Sequence, residues 1–211
     1  MPSSDGSIGL FPLQLVLLPG EILPLHIFEE RYKALIADCR AAGDVFGIVL
    51  SDNDEVVRTG CTAAIHEIID ELDDGRLNIL VEGRERFALD EVIEPDDPQT
   101  GYLRARIEIF GDAAEESPPS EQTLELVADL FRRLIGLMGV DDPRLPLSAG
   151  RLSFRLAAAV DFGLPLKQRL LESRSESERL DFLIAVMKAL IPGLELRNQR
   201  GQAIRGNGKG Y

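Results

Sequence analysis

The chain has 211 residues, 45% of them hydrophobic and 28% charged, enough apolar material to bury a core in one large domain or two small ones. Its formal charge of −13 opposes a phosphate backbone over most of the surface and argues against nucleic acid as a partner. No apolar run reaches the roughly 20 residues that span a bilayer, Met1-Pro-Ser-Ser-Asp-Gly lacks the basic-then-apolar start of a secretory leader, and Cys39 and Cys61 form no disulfide framework; these features read as a cytoplasmic protein with no membrane attachment and two buried thiols.

In chain order, Leu13-Gln-Leu-Val-Leu-Leu18 predicts a strand ended by the turn signal Pro19-Gly20. Ile22 to Ile27 predicts a second strand whose Pro24 suits a sheet edge or bulge. From Glu29, the residues Tyr32, Leu35, Ile36 and Cys39 fall on one helical face, and Gly43 supplies a residue able to take the left-handed C-terminal conformation. Val45-Phe-Gly-Ile-Val-Leu50 reads as a buried strand. Residues 62–69 and 77–81 flank Asp73-Asp-Gly75 and predict a hairpin, continued by 86–93. In 102–110 the side chains Leu103, Ala105, Ile107 and Ile109 alternate with Arg104, Arg106 and Glu108, which marks a strand with one buried face. Several short strands joined by turns imply a closed or nearly closed barrel, since an open sheet would leave pairing edges exposed.

Residues 111–120, with Pro118-Pro119 and three acidic side chains, have no periodicity and read as a linker. Beyond Ser120, a predicted N-cap, helical spacing joins Leu124, Val127, Phe131, Leu134, Ile135 and Met138. Ser148 is placed to cap a helix carrying Leu152, Leu156, Ala159 and Val160, with Gly163 as its stop. Leu164-Pro-Leu-Lys-Gln-Arg-Leu-Leu171 predicts a short helix with Pro165 in its first turn. Ser175 and Glu178 form a capping-box pattern ahead of Leu180, Leu183, Ile184, Met187 and Leu190, a stripe expected to stop before Pro192-Gly193. The last fifteen residues hold four basic residues (Arg197, Arg200, Arg205, Lys209) and no acidic ones, leaving 19 basic against 36 acidic residues, a balance of −17, for the body. The expected organisation is a β-rich domain over 1–110, a linker over 111–120, a helical domain over 121–196 and a flexible basic tail over 197–211, in an α+β fold.

Catalytic patterns are absent. Gly206-Asn-Gly-Lys-Gly210 lacks the hydroxyl residue and preceding strand of a phosphate-binding loop. His26, Cys39, Cys61 and His66 lack the close paired spacing of a zinc site. Cys39 lies on the apolar face of its helix, where burial makes a thiol inert. No Gly-x-Ser-x-Gly elbow or serine-lysine setting is present. The acidic groups at Asp70-Glu71 with Asp73-Asp74, at Asp96-Asp97 and at Asp141-Asp142 neighbour Gly or Pro and read as solvated loop acids without the spacing of a calcium loop. Arg84 and Arg86 are expected to pair with Glu82, Glu85 or Asp90. No catalytic residue, cofactor or metal ligand is assigned, and the sequence names no polypeptide-binding residue.

A resemblance does emerge from ordered short motifs. Phe11-Pro-Leu, Leu17-Leu-Pro-Gly20, Leu23-Pro-Leu-His-Ile-Phe-Glu29-x-Arg31-Tyr32, Gly60-Cys-Thr-Ala-Ala-Ile65, Asp74-Gly-Arg-Leu-Asn-Ile-Leu-Val-Glu-Gly83-x-x-Arg86-Phe87, Leu164-Pro-Leu-Lys-Gln168 and Glu178-Arg179-Leu180 together resemble the N-terminal, substrate-recognition domain of Lon-type ATP-dependent proteases, over about residues 10–190. The resemblance implies a β-barrel of the PUA-like type followed by a C-terminal helical bundle, used to engage unfolded polypeptides. It also implies structural roles for the matched residues, with Glu29 and Arg31 pairing across the first helical turn and Phe87 filling the barrel. The ATPase module and serine-lysine protease module of that family have no counterpart in these 211 residues, so a stand-alone, non-catalytic binding module is expected, with unfolded or partner polypeptides and a separate ATP-dependent protease as partners. Monomer and weak dimer stay open. The competing expectations are an RNA-binding PUA-like protein, supported only by the basic tail, and a small-molecule enzyme, for which no convergent acid, base and nucleophile exist.

Overall fold

The computed structural model describes residues 6–52, 55–97, 101–113, 118–140 and 151–206. Its elements in chain order are β1 (Ser7–Leu13), β2 (Ile22–Ile27), α1 (Glu30–Ala42), β3 (Phe46–Asp52), β4 (Glu55–Glu71), β5 (Leu77–Ile93), β6 (Arg104–Phe110), α2 (Glu121–Met138), α3 (Leu152–Ala159), α4 (Leu164–Glu172) and α5 (Glu176–Gly206). They form two compact units, Met1–Gly111 with Asp161–Glu172, and Asp112–Val160 with Ser173–Tyr211. The segment carrying α4 therefore belongs with the sheet, although it sits within the helical half of the chain.

The first unit is a mixed sheet in the order β2-β5-β4-β3-β1-β6, with a further β5–β6 pairing. Among the strand pairings of the described residues, only β1–β3 is parallel. The circuit β5-β4-β3-β1-β6 closes on itself, but the 17-residue strands β4 and β5 run past the closure. There β2 takes the place of β6 beside β5, pairing Ile22 with Glu82 through Ile27 with Leu77. The expected barrel is thus closed over only part of its length and is not a clean barrel. The two strands expected over 77–81 and 86–93 are one continuous β5, because a bulge rather than a turn absorbs the Gly83 region.

Inside the closed part lie Leu10, Val49, Phe87, Leu89 and Ala105. Phe87 fills the space that two glycines leave open: a Cβ on Gly60 would stand 2.5 Å from its Cζ and 2.5 Å from the Ile48 carbonyl, and one on Gly47 would stand 2.9 Å from the same carbon. On the other face of the sheet, α1 buries Tyr32, Leu35, Ile36 and Cys39, with Phe11 stacked on Tyr32 at 3.9 Å between centroids. Gly43 closes α1 in the left-handed region at φ 66°.

The first strand begins earlier than the apolar run suggests. Ser7–Leu13 pairs with both β3 and β6, while Val16, Leu17 and Leu18 are buried in irregular backbone. That backbone is fixed by Glu21, 5% exposed, whose carboxylate accepts from the Leu18 amide at 2.9 Å and from Lys167 Nζ of α4 at 2.5 Å. Hydrophobicity alone cannot distinguish a strand from a buried loop satisfied by one carboxylate.

In the second unit Ser120 caps α2 by accepting from the Thr123 amide at 3.1 Å, and α2 buries Val127, Phe131, Leu134 and Ile135. Leu180, Leu183, Met187 and Ile191 form the buried stripe of α5. The Ser175 hydroxyl accepts from the Glu178 amide at 3.1 Å, but the Glu178 carboxylate takes the Ser173 hydroxyl instead of completing the box. Gly163 does not terminate α3, which ends at Ala159; its carbonyl accepts from Lys167 in the first turn of α4. The expected stop at Pro192 is also corrected, since α5 continues through that proline to Gly206. Proline removes one helix hydrogen bond and crowds the preceding turn, at about 3 kcal/mol, which the flanking buried stripe offsets. Ser148 and Asp141-Asp142 lie outside the described residues, as do 207–211 of the tail.

A buried cation organises this unit. Arg179, fully buried, donates both Nη groups to the Asp112 carboxylate at 2.7 Å, Nη2 to Glu176 at 2.6 Å, Nε to the Ser153 hydroxyl at 2.8 Å and Nη1 to the Ser173 carbonyl at 2.8 Å. Its guanidinium lies 4.4 Å from the Phe154 ring centroid. Arg179→Met is expected to lower unfolding stability by about 3–5 kcal/mol, because two partly buried carboxylates lose their cation; the midpoint of urea unfolding reads this. Gly60→Ala in the first unit is expected to cost about 1–3 kcal/mol, measured the same way, since the added methyl meets a carbonyl and a packed ring.

Candidate functional site

The surface available for binding follows from a count of residues along the β4–β5 ladder. Gly60 pairs with Phe87 and Cys61 with Arg86, but Ala63 pairs with Gly83 and Ala64 with Glu82. Between these pairs β4 advances two residues and β5 three, so β5 carries one extra residue. Thr62, 3% exposed, holds the excess: its Oγ1 accepts from the Glu85 amide at 3.0 Å and donates to the Glu85 carbonyl at 3.2 Å.

Gly60, Thr62 and Ala64 share one face of β4, and directly paired residues share a face. Phe87, in the core, and Glu82, past the bulge, therefore lie on the same side. Beyond the closure this side is open to solvent. Its rows are Ile22 with Glu82 and Ala64, Pro24 with Leu80 and Glu67, and His26 with Asn78 and Asp70.

The β2 column of this open face is apolar and accessible. Ile22 is 48% exposed, and Phe28, just past the strand, 59%. Pro24 and His26 are also exposed. His26 hydrogen-bonds Asn78 through Nδ1 at 2.7 Å and stacks on Phe28 with centroids 5.8 Å apart, so the aromatic ring is held outward instead of folding into the core. The buried alternates Leu25 and Ile27 pin the strand from behind. The edge itself is blunted. The Glu21 carbonyl accepts from the Gly83 amide, and alternation from that pair turns the backbone groups of Ile22, Pro24 and His26 away from β5; at the middle of these positions proline has no N–H to offer.

A cavity of about 710 Å³ opens at the end of the closed circuit, where β1 begins, lined in part by Ile8, Leu35, Ile107, Ile109, Glu85 and Arg104. Tyr102 and Arg104 in its lining are already engaged. The Tyr102 hydroxyl donates to Asp38 at 2.7 Å, and burial together with that carboxylate pushes the phenol up to about 12. Arg104 donates to the Ser7 hydroxyl at 2.9 Å and to the Ser7 carbonyl at 3.0 Å. Cys39 also lines this cavity, and burial, aided by the Asp38 charge, pushes its thiol up to about 11. A protonated thiol is not a nucleophile.

The other residues singled out from sequence are dispersed. Glu29 and Arg31 pair at 2.7 Å as expected. His66 is exposed, 3.8 Å from Glu82, whose carboxylate also holds Arg84 at 2.9 Å. Arg86 is 4% exposed, donates to the Leu171 carbonyl at 3.2 Å and lies over Phe110. Among the described residues no three His, Cys, Asp or Glu side chains are grouped to hold a metal ion, and no helix is long and apolar enough to cross a membrane. The open face escaped sequence reading. Its only advance signal is the alternation of Ile22, Pro24, His26 and Phe28 with buried residues. Cys39 is expected to resist iodoacetamide in the native protein at pH 8, where a thiol of pKa near 11 is thiolate on the order of one molecule in a thousand, and to react as pH rises toward 11; peptide mass mapping over a pH series checks this.

Comparison with known proteins places the chain among related sequences. The family model described as the ATP-dependent protease La (LON) substrate-binding domain matches residues 7–189. Lon protease of Flavobacterium johnsoniae is 26% identical over 94% of this chain and 26% of its own length, and Lon protease of Anaeromyxobacter dehalogenans is 26% identical over 90% of this chain and 24% of its own. The chain thus spans about a quarter of these relatives. A Lon N-terminal domain protein from Xanthomonas campestris superimposes with a TM-score of 0.68 at 26% identity, covering 85% of this chain and 97% of that one. The N-terminal domain of a Mycobacterium avium complex Lon protease shares the fold, with a TM-score of 0.63 at 17% identity, over 86% and 98% of the two chains.

Proposed function

The chain belongs to the ATP-dependent protease La (Lon) substrate-binding domain family, and from that premise we propose that its sheet unit binds unfolded polypeptide segments on the open face of β2, β5 and β4. The carrying observation is the exposed row Ile22, Pro24, His26 and Phe28, which continues the side that forms the core inside the closed part of the sheet. Apolar side chains of a client desolvate against the same kind of surface that Phe87 and Leu89 cover in the interior, at roughly 25 cal/mol per Å² buried. A folded protein keeps most of its large apolar side chains inside, so a face of this kind tells unfolded chains from folded ones by exposure.

The binding is by side chains. Strand addition at β2 would lose a ladder hydrogen bond at Pro24, whereas the face needs no donor there. The role requires no cofactor and no covalent step: the matched region is a recognition domain, and the protonated Cys39 offers no nucleophile. Any hydrolysis of bound clients is supplied by a separate ATP-dependent protease, for which this chain serves as an adaptor.

A reduced, carboxymethylated protein labelled for fluorescence anisotropy tests the reading. Saturable binding that the same protein in its folded form does not compete is the expected result; equal binding of both forms, or none, overturns it. Ile22→Asp with Phe28→Asp should weaken binding about ten-fold or more while leaving the thermal midpoint within a few degrees, because both side chains are already exposed.

A further inference from the structure

Resting on that reading, we propose that the polypeptides selected by this face are cationic: extended apolar segments interspersed with lysine or arginine. Parallel to the apolar column on β2, the outer column on β4 carries Glu67 and Asp70, opposite Leu80 and Asn78. The two columns are two strand spacings, or about 10 Å, apart. Three of the acids near them are each matched with a cation: Glu71 with Arg40 at 3.4 Å, Asp74 with Arg76 at 2.8 Å and Glu82 with Arg84 at 2.9 Å. Glu67 and Asp70 are exposed and have no cation partner among the described residues. The uncompensated charge of this hairpin therefore includes the column that flanks the apolar strip.

The groups that could oppose a cation here are few. Arg84 is held by Glu82, which His66 also approaches, and His26 is tied to Asn78. A segment lying over β2 and β5 with apolar side chains on Ile22 and Phe28 can direct a lysine toward Glu67 or Asp70 well within the screening length of about 8 Å. An acidic segment meets repulsion from the same column. The body of the chain, at −17, adds long-range attraction for cationic segments and speeds their encounter.

Three fluorescent peptides with identical alternating leucine and phenylalanine, and with lysine, serine or glutamate between them, separate this selection from polypeptide binding itself. Anisotropy is measured at about 50 and 300 mM salt on the full chain, on Glu67→Gln with Asp70→Asn, and on Phe28→Asp. The lysine peptide should bind about five-fold tighter than the serine peptide at low salt, as two exposed charge pairs allow. High salt, and the Glu67 and Asp70 double variant, should bring it to the serine level, while serine-peptide affinity stays unchanged in that variant. A lysine peptide no tighter than serine or glutamate, or a preference that survives the double variant, overturns the charge selection while serine-peptide binding sensitive to Phe28→Asp upholds the underlying reading. Failure of all three peptides to bind, or binding indifferent to Phe28→Asp, overturns both.

Discussion

Opposite Thr62, β5 carries one residue more than β4, and the Thr62 hydroxyl holds the excess by donating to the Glu85 carbonyl and accepting from the Glu85 amide. Which side of β5 faces the core and which faces solvent follows from how that residue is accommodated. Without it, the parity that puts Phe87 and Leu89 inside would put Arg84 and Glu82 on opposite sides from where they stand, and the side of β5 facing the core would differ from the side facing solvent past the closure. With it, a single face begins as packed interior and ends as accessible surface. The exchange of β6 for β2 along β5 completes the change, because only the closed circuit has strands arching over that face.

The helical unit is organised by a different constraint. Arg179 donates to the nearby Ser173 and Glu176 and to the distant Asp112 and Ser153. Burial works against the guanidinium charge, and the hydrogen bonds it donates to Asp112 and Glu176 outweigh it, moving its proton affinity up. Such a node contributes less to net stability than its many contacts suggest, because desolvation offsets much of the attraction. Its effect is to make one arrangement of three stretches of chain, around Asp112, Ser153 and 173–179, far better than any with a missing partner. Asp112 sits in a stretch that reads from sequence as plain linker, so the charge that anchors the unit was hidden among solvated-looking acids.

How much was legible in the sequence depended on whether the signal was local. The period of Tyr32, Leu35, Ile36 and Cys39, the left-handed Gly43 and the Ser120 cap are decided within one or two turns, and these elements stand where periodicity puts them. Leu13 to Leu18 misled because its apolar residues are buried by a loop whose amide is satisfied by Glu21, and that carboxylate is neutralised by Lys167, 146 residues away. Pro192 misled because stability from a buried stripe overrode an intrinsic helix break. The barrel was legible as a set of short strands, but its partial closure was not, since that depends on how far β4 and β5 run past the circuit and on which strand pairs with β5 at each end, visible only in the pairing. The open face was similarly out of reach: Glu67 and Asp70 acquire meaning only beside Leu80 and Asn78, and those only beside Pro24 and His26.

Pro24 stands at the middle of the unpaired edge of β2, where its missing N–H interrupts any backbone ladder. A chain laid against this face can be gripped by its side chains but cannot be zipped into the sheet, so its contacts break one at a time and not as a cooperative ribbon. On the proposed reading, residence there is set by a few weak apolar and ionic contacts, with a correspondingly high dissociation rate. For a client bound as proposed, the proline makes this face a reversible holding surface and not a trap for extended chains.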